Sequence, residues 1–124
     1  MSKKSEAKLW VLVKNLNKNH YFERIESSTS RGIPDVHAVM NGNMFWLELK
    51  SNNSKNWGVS KWQINWHVEY QKAGGKCFIL VRPLKERHLE LLAVNRDSRA
   101  LDLVSRTSSL EIQELEDMLL QHCG

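Results

Sequence analysis

The sequence predicts an α/β domain built on one mixed β-sheet with helices on its flanks. Three observations predict it. Stretches of helical and strand periodicity alternate along the chain, a tight hairpin signal joins two strands, and a helix separates the third strand from the fourth. A length of 124 residues, 41% of them hydrophobic, suits one compact domain with a real core and is too short for two.

The first helix is expected in "SEAKLWVLVKNLNKN", where Leu9, Leu12, Val13 and Leu16 recur at helical spacing and Ser5 offers an N-cap. "HYFERIESS" alternates as a strand does, and "TSRGIP" reads as a turn, stiffened by Pro34 and freed by Gly32. "DVHAVM" and "MFWLELK" flank "NGN", an Asn-Gly hairpin signal. "SNNSKNWGVS" is a polar loop. "SKWQINWHVEYQKAGG" is a helix with Ser60 in front and Gly74 or Gly75 closing it. "KCFILVRP" is an apolar strand ended by Pro83, and "HLELLAV" is another. "SLEIQELEDMLLQH" is an amphipathic helix with Ser108 and Glu111 spaced as a capping box. With no repeat, low-complexity segment or linker, residues 1–124 read as a single domain, its core over about 5–94 and a C-terminal helical extension over about 97–122.

Composition excludes some classes. No apolar run approaches the ~20 residues of a membrane span, and "MSKKSEAKLW" lacks the apolar stretch of a signal peptide. Cys77 and Cys123 match no zinc or disulfide spacing, so two reduced thiols in a cytoplasmic protein are expected. Residues 1–85 hold 14 Lys and Arg against 6 Asp and Glu, whereas residues 86–124 hold 4 against 8. A basic front with an acidic tail points to a polyanion-binding face and a separate back face.

The chemistry concentrates in "GIPDVHAVMNGNMFWLELKS", residues 32–51. Strand side chains alternate, so Glu48 and Lys50 share one face while Phe45, Leu47 and Leu49 share the other. Asp35 begins the neighbouring strand of the hairpin, which can bring it alongside Glu48. Two carboxylates a few ångströms apart repel unless they share a proton or hold a cation. All-oxygen ligation favours a hard ion, Mg²⁺ or Mn²⁺, and a lysine one step beyond can orient a water beside it. Those are the parts for hydrolysing a phosphodiester.

Asp35 after "GIP", followed by "ELK" at Glu48–Lys50, resembles the PD-(D/E)xK nuclease signature. The wider pattern is similar to the small VRR-Nuc and Holliday-junction-resolvase branch of that superfamily. It spans residues 6 to about 82, with an acid on the first helix, "RGIPD", the "ExK" strand, and a Gln63 helix ending "KAGGKCFILV". The resemblance implies a restriction-endonuclease-like core and a metal-dependent endonuclease, often homodimeric. By it, Asp35 and Glu48 would ligate the metal, the carbonyl of Leu49 would complete the inner shell, and Lys50 would position the attacking water. Glu6, on the inward stripe of the first helix, would complete the site, sometimes through water; it also reads as a first-turn acid favoured by the helix dipole. Gln63 fits the family glutamine beside the site, and Ser60 with Gln63 also reads as a capping box. Ser30 and Arg31 either contact the scissile phosphate or form an ordinary polar loop.

From Leu49 to Val68 there is no acid, while Lys50, Lys55, Lys61, Trp57, Trp62, Trp66 and His67 all occur. Cations neutralise phosphates and aromatics stack on exposed bases. Trp57, in the loop, is the better candidate for touching nucleic acid; Trp62 and Trp66 suit core or dimer packing. The leading reading is a Mg²⁺-dependent endodeoxyribonuclease specific for branched DNA such as four-way junctions, working as a homodimer, of a compactness that would suit a phage or mobile element. Its alternatives are a sequence-specific homing or restriction-type endonuclease, and a catalytically idle nucleic-acid-binding module.

Overall fold

The computed structural model describes residues 2–26 and 32–124. Helix α1 (Ser2–Lys14) runs through a short 3-10 turn, Asn15–Lys18, into β1 (Tyr21–Arg24). Then come β2 (Val36–Met40), β3 (Asn43–Lys50), α2 (Lys61–Lys72), β4 (Cys77–Val81), β5 (Glu90–Val94), β6 (Leu101–Arg106) and α3 (Ile112–His122). The described strands form one mixed sheet in sequence order; β3 and β4 are parallel and every other neighbouring pair is antiparallel. Parallel neighbours need a crossover, and α2 supplies it.

Local chemistry explains most boundaries. Asn41 (φ 51°) and Gly42 (φ 78°) take the left-handed conformations of a type I′ turn, which sets the register Met40↔Asn43 through Val36↔Leu47. At the entry to α2 the Ser60 hydroxyl accepts the Gln63 N–H at 3.2 Å, and the Ser60 N–H donates to Gln63 Oε1 at 2.9 Å. At its exit the N–H groups of Gly74 and Gly75 donate to Gln71 and Tyr70 carbonyls, a Schellman closure.

The sheet has two unequal cores. Phe45, Leu47 and Leu49 of β3 face α1 and α3 and pack with Leu9, Val13, Val36, Ala38, Leu80, Leu91, Leu115 and Leu119. Under α2 lies a smaller cluster of Val68, Ile79, Val81, Leu92 and Val94. The aromatic residues on that side make a chain of ring contacts, His37 to Trp46 at 5.0 Å, Trp46 to Trp66 at 5.9 Å, and Trp66 stacked on Tyr70 at 4.6 Å.

Three expectations need correction. Ser5 lies inside α1, which begins at Ser2, so it does not cap the helix. Residues 97–122 are not uniformly helical: "LDLVSR" is β6, which pairs with β5 across a register shift at Leu91/Leu92 once a tight turn joins Asn95 to Ala100. Ser108 and Glu111 form no capping box. Instead the Glu114 carboxylate accepts from the N–H and hydroxyl of Ser108 and from the hydroxyl of Ser109, because the helix starts three residues later than a Ser108 cap would require. The apolar stripe of the last helix faces inward, as its amphipathic pattern implies: Leu115, Met118 and Leu119 are buried in the main core, with Leu110 and Leu120 packed against it.

Candidate active site

The β2–β3 hairpin brings the two carboxylates together. Its ladder ends at Val36↔Leu47, and one further step of that register sets Asp35 opposite Glu48. Beyond the ladder Asp35 continues the pairing with its side chain, accepting the Leu49 N–H on Oδ2 at 2.9 Å. Its backbone carbonyl accepts from Ile25 N–H at 2.6 Å, so the residue is tied to both neighbouring chains. Trp46 N–H donates to Lys76 on the β4 side and Lys50 carbonyl accepts from Arg82 there. Alternation therefore turns the Leu49 peptide groups towards Asp35.

The turn ahead of Asp35 is held by a close approach. Gly32 (φ 83°) lies so near the first turn of α2 that a Cβ on it would stand 2.3 Å from the Trp62 carbonyl oxygen. Only glycine fits both that conformation and that space. Asp35 and Gln63 are thereby anchored to one junction between turn and helix.

Glu48 is only 3% exposed. Gln63 Nε2 donates to its Oε2 at 3.0 Å, while Oε1 is buried with no hydrogen-bond partner among the described residues. Burial, and next the Asp35 charge, push its carboxyl up to about 9, against the opposing pull of Lys50. Without a cation this pair keeps a proton at neutral pH. Gln63 performs both expected jobs at once: its Oε1 and backbone cap α2, and its Nε2 orients Glu48.

Lys50 ends β3 partly exposed, with Nζ 3.5 Å from the Gly58 carbonyl. Glu6 projects from α1 near enough to feel both Asp35 and Lys50. Its carboxyl is raised, first by burial and then by Asp35, with Lys50 and Arg24 opposing. It does not close a ligand cluster: among the described residues no three acidic, histidine or cysteine side chains gather at metal spacing. The oxygen donors that do converge are Asp35, Glu48 and the backbone of Leu49. An orphaned carboxylate oxygen facing a second carboxylate fits a hard divalent cation.

Beside this centre opens a cleft of about 370 Å³ lined by Glu6, Lys50, Ser51, Asn52, Trp57 and Leu84, among others. Its wall is the turn Lys55–Gly58, in which Asn56 (φ 51°), Trp57 (φ 55°) and Gly58 (φ 68°) are all left-handed. Such a conformation costs a bulky residue about 1–3 kcal/mol and persists only where neighbours enforce it. Asn52 enforces it, its Nδ2 donating to the Trp57 carbonyl at 3.1 Å and its Oδ1 accepting the Ser54 N–H at 2.9 Å. Ser51 is fully buried with its hydroxyl unpartnered among the described residues. Asn52 and Ser51 were not among the residues the sequence singles out; the polar run directly after "ELK" was the available signal.

The other expected contacts scatter. Lys55 is exposed on the turn, and Lys61 is exposed at the start of α2 with Nζ 5.1 Å from the Trp62 ring centroid. Ser30 and Arg31 lie outside the described residues.

The arrangement has counterparts among known proteins. A VRR_NUC domain of solved structure superposes with a TM-score of 0.52 at 19% identity, covering 65% of this chain and 87% of that one. Hjc, a Holliday junction resolvase from the archaeal hyperthermophile Archaeoglobus fulgidus, superposes with a TM-score of 0.54 at 13% identity over 80% of this chain and 84% of that one. At such identities these likenesses speak for the fold, which is that of restriction-endonuclease-like nucleases. No match is found among curated protein sequences. The sequence profile of the archaeal Holliday junction resolvases (Hjc) matches residues 12–122, a span that takes in Asp35, Glu48, Lys50 and the three described elements beyond β4, and so the chain belongs to that nuclease family.

Proposed function

We propose that the protein is a divalent-metal-dependent endodeoxyribonuclease that hydrolyses phosphodiester bonds in branched DNA, four-way junctions above all. The observation that carries the reading is the Glu48 carboxyl, buried beside Asp35 with one oxygen unpartnered among the described residues. A buried acid of this kind costs stability unless a cation or proton occupies the gap.

Asp35, Glu48 and the Leu49 carbonyl would hold Mg²⁺ or Mn²⁺, with Glu6 acting from the rim through water. A bound divalent ion supplies charge neutralisation at the phosphate and lowers the pKa of a coordinated water. The remaining work belongs to the chain. Gln63 fixes one oxygen of Glu48 so that the other stays aimed at Asp35. Lys50 orients the attacking water and stabilises charge growing on the phosphoryl oxygens. Exposed Lys55 and Lys61, with Trp57, engage the DNA backbone and bases alongside. A four-way junction has two-fold symmetry and one chain carries one such centre, so an isologous homodimer would supply paired incisions. Exposed Trp62 (47%) would join that contact.

The test is a panel of labelled four-way junction, linear duplex, nicked and single-stranded DNA, incubated with Mg²⁺, Mn²⁺ or EDTA. Junction cleavage with either metal, lost in EDTA and in Asp35→Asn while DNA binding survives, is the expected result. Undiminished cleavage by Asp35→Asn would remove the proposed metal site. Sedimentation equilibrium on the same samples reads the oligomeric state.

A further inference from the structure

We propose that the cleft between the end of β3 and the Lys55–Gly58 turn is a subsite for an unpaired nucleobase next to the scissile phosphate, with Trp57 as its stacking surface. This rests on the nuclease reading above and names what that site selects. The cleft is continuous with the reacting centre, since Glu6 and Lys50 line it together with Trp57. Its volume of about 370 Å³ falls in the range of sites that enclose small ligands, about 300–1,000 Å³. Its walls combine the Trp57 indole, half-buried and packed against the small core under α2, with the short polar side chains of Ser5, Asn52 and Ser54.

The backbone supports the assignment. Three consecutive left-handed residues hold the indole half-buried at the cleft, and the Asn52 amide pins the carbonyl of Trp57 itself. A bulky residue in that conformation is uncommon, and such strain gathers where a side chain must be presented in one place. Next to a phosphodiester centre, an aromatic face with adjacent hydrogen-bonding groups matches a base. In an intact duplex both faces of every base are covered by stacking and only edges are open. The cleft therefore accepts bases only where stacking or pairing is interrupted, at a branch or flap, and this is the source of discrimination against linear duplex.

Fluorescence titration in EDTA, which separates binding from cleavage, tests this. Junction carrying 2-aminopurine at the branch point is titrated with wild type, Trp57→Ala and Trp57→Phe, alongside matched duplex. Wild type and Trp57→Phe should quench the probe. Trp57→Ala should lose the quench and roughly tenfold or more of its junction affinity, a larger loss than it shows on matched duplex. A Trp57→Ala protein that melts like wild type and keeps its junction-over-duplex ratio overturns the subsite. A second measurement needs no variant: 5-iododeoxyuridine at the branch point should photocrosslink to Trp57 of the wild type, and crosslinks confined to other residues also overturn it. Failure of every DNA to be cleaved in Mg²⁺ would instead count against the nuclease reading, leaving these binding results to stand or fall separately.

Discussion

On one face of β3, Phe45, Leu47 and Leu49 are sealed against α1 and α3 with no exposed surface; on the other, Glu48 is almost as deeply covered but sits among Asp35, Gln63 and Lys50. The apolar face gains free energy by excluding water. The acidic face loses free energy by the same exclusion and keeps an oxygen without a partner among the described residues. His67, on α2, sharpens the contrast. It too is buried, with both ring nitrogens unpartnered among the described residues, and burial alone lowers its pKa to about 4. Glu48 differs in having a second carboxylate and a lysine beside it, so its cost can be recovered by a cation. His67 has no such neighbour to answer it, and reads as a packed, neutral side chain.

The largest expected effect separates the two faces outright. Leu47→Ala should cost about 2–5 kcal/mol in chemical denaturation by leaving a cavity. It should not change cleavage per folded molecule. Glu48→Gln should do the reverse, abolishing cleavage while metal-free stability holds or rises, because the amide cannot ionise in the buried position. Cleavage by Glu48→Gln at the wild-type rate would erase the distinction.

A smaller effect is read from pH. The fold binds a proton at Glu48 that the unfolded chain releases above about 4.5, so this contribution is full below that value and is lost as pH rises towards about 9. His67 runs the other way: its neutral form is favoured by the fold, and stability is lost as pH falls from 6.5 towards about 4. Above pH 6.5 Glu48 leads the downward trend in EDTA, joined by the raised Glu6 and, as pH nears 9, by the buried thiols of Cys77 and Cys123, which the fold also keeps protonated. Melting curves from pH 6.5 to 9 should slope less in Glu48→Gln. Mg²⁺ or Mn²⁺ should raise the wild-type melting temperature more as pH increases, and raise that of Asp35→Asn less. Equal slopes in EDTA would mean that Glu48 is ionised throughout.

The smallest effect lies where the two jobs of Gln63 meet. Ser60→Ala removes the cap and should cost about 1 kcal/mol. It leaves the bond from the residue-60 N–H to Gln63 Oε1 in place but loosens the first turn that aims the Gln63 side chain, so kcat should fall a fewfold while KM for DNA stays the same. A stability loss with unchanged kcat would show that the cap and the Glu48 contact are independent.

What could be read from the chain alone was whatever depends on near neighbours. Helical spacing from Leu9 to Leu16, the Asn41–Gly42 turn, the Ser60 capping box and the double glycine after α2 are local devices, and each is where it was expected. The approach of Asp35 to Glu48 was legible because a two-residue hairpin sets its own register. β6 was not, since an edge strand half-exposed along its length carries little apolar signal and earns its pairing only from β5. The contact of Gln63 with Glu48, the fit of Gly32 against Trp62, and the Asn52 clamp on Trp57 were decided by tertiary structure. Asn52 and Trp57 are five residues apart, yet their bond exists only because the chain turns left-handed between them. Periodicity reports which face a side chain occupies; it does not report what stands opposite, and the chemistry of a buried acid is set by what stands opposite.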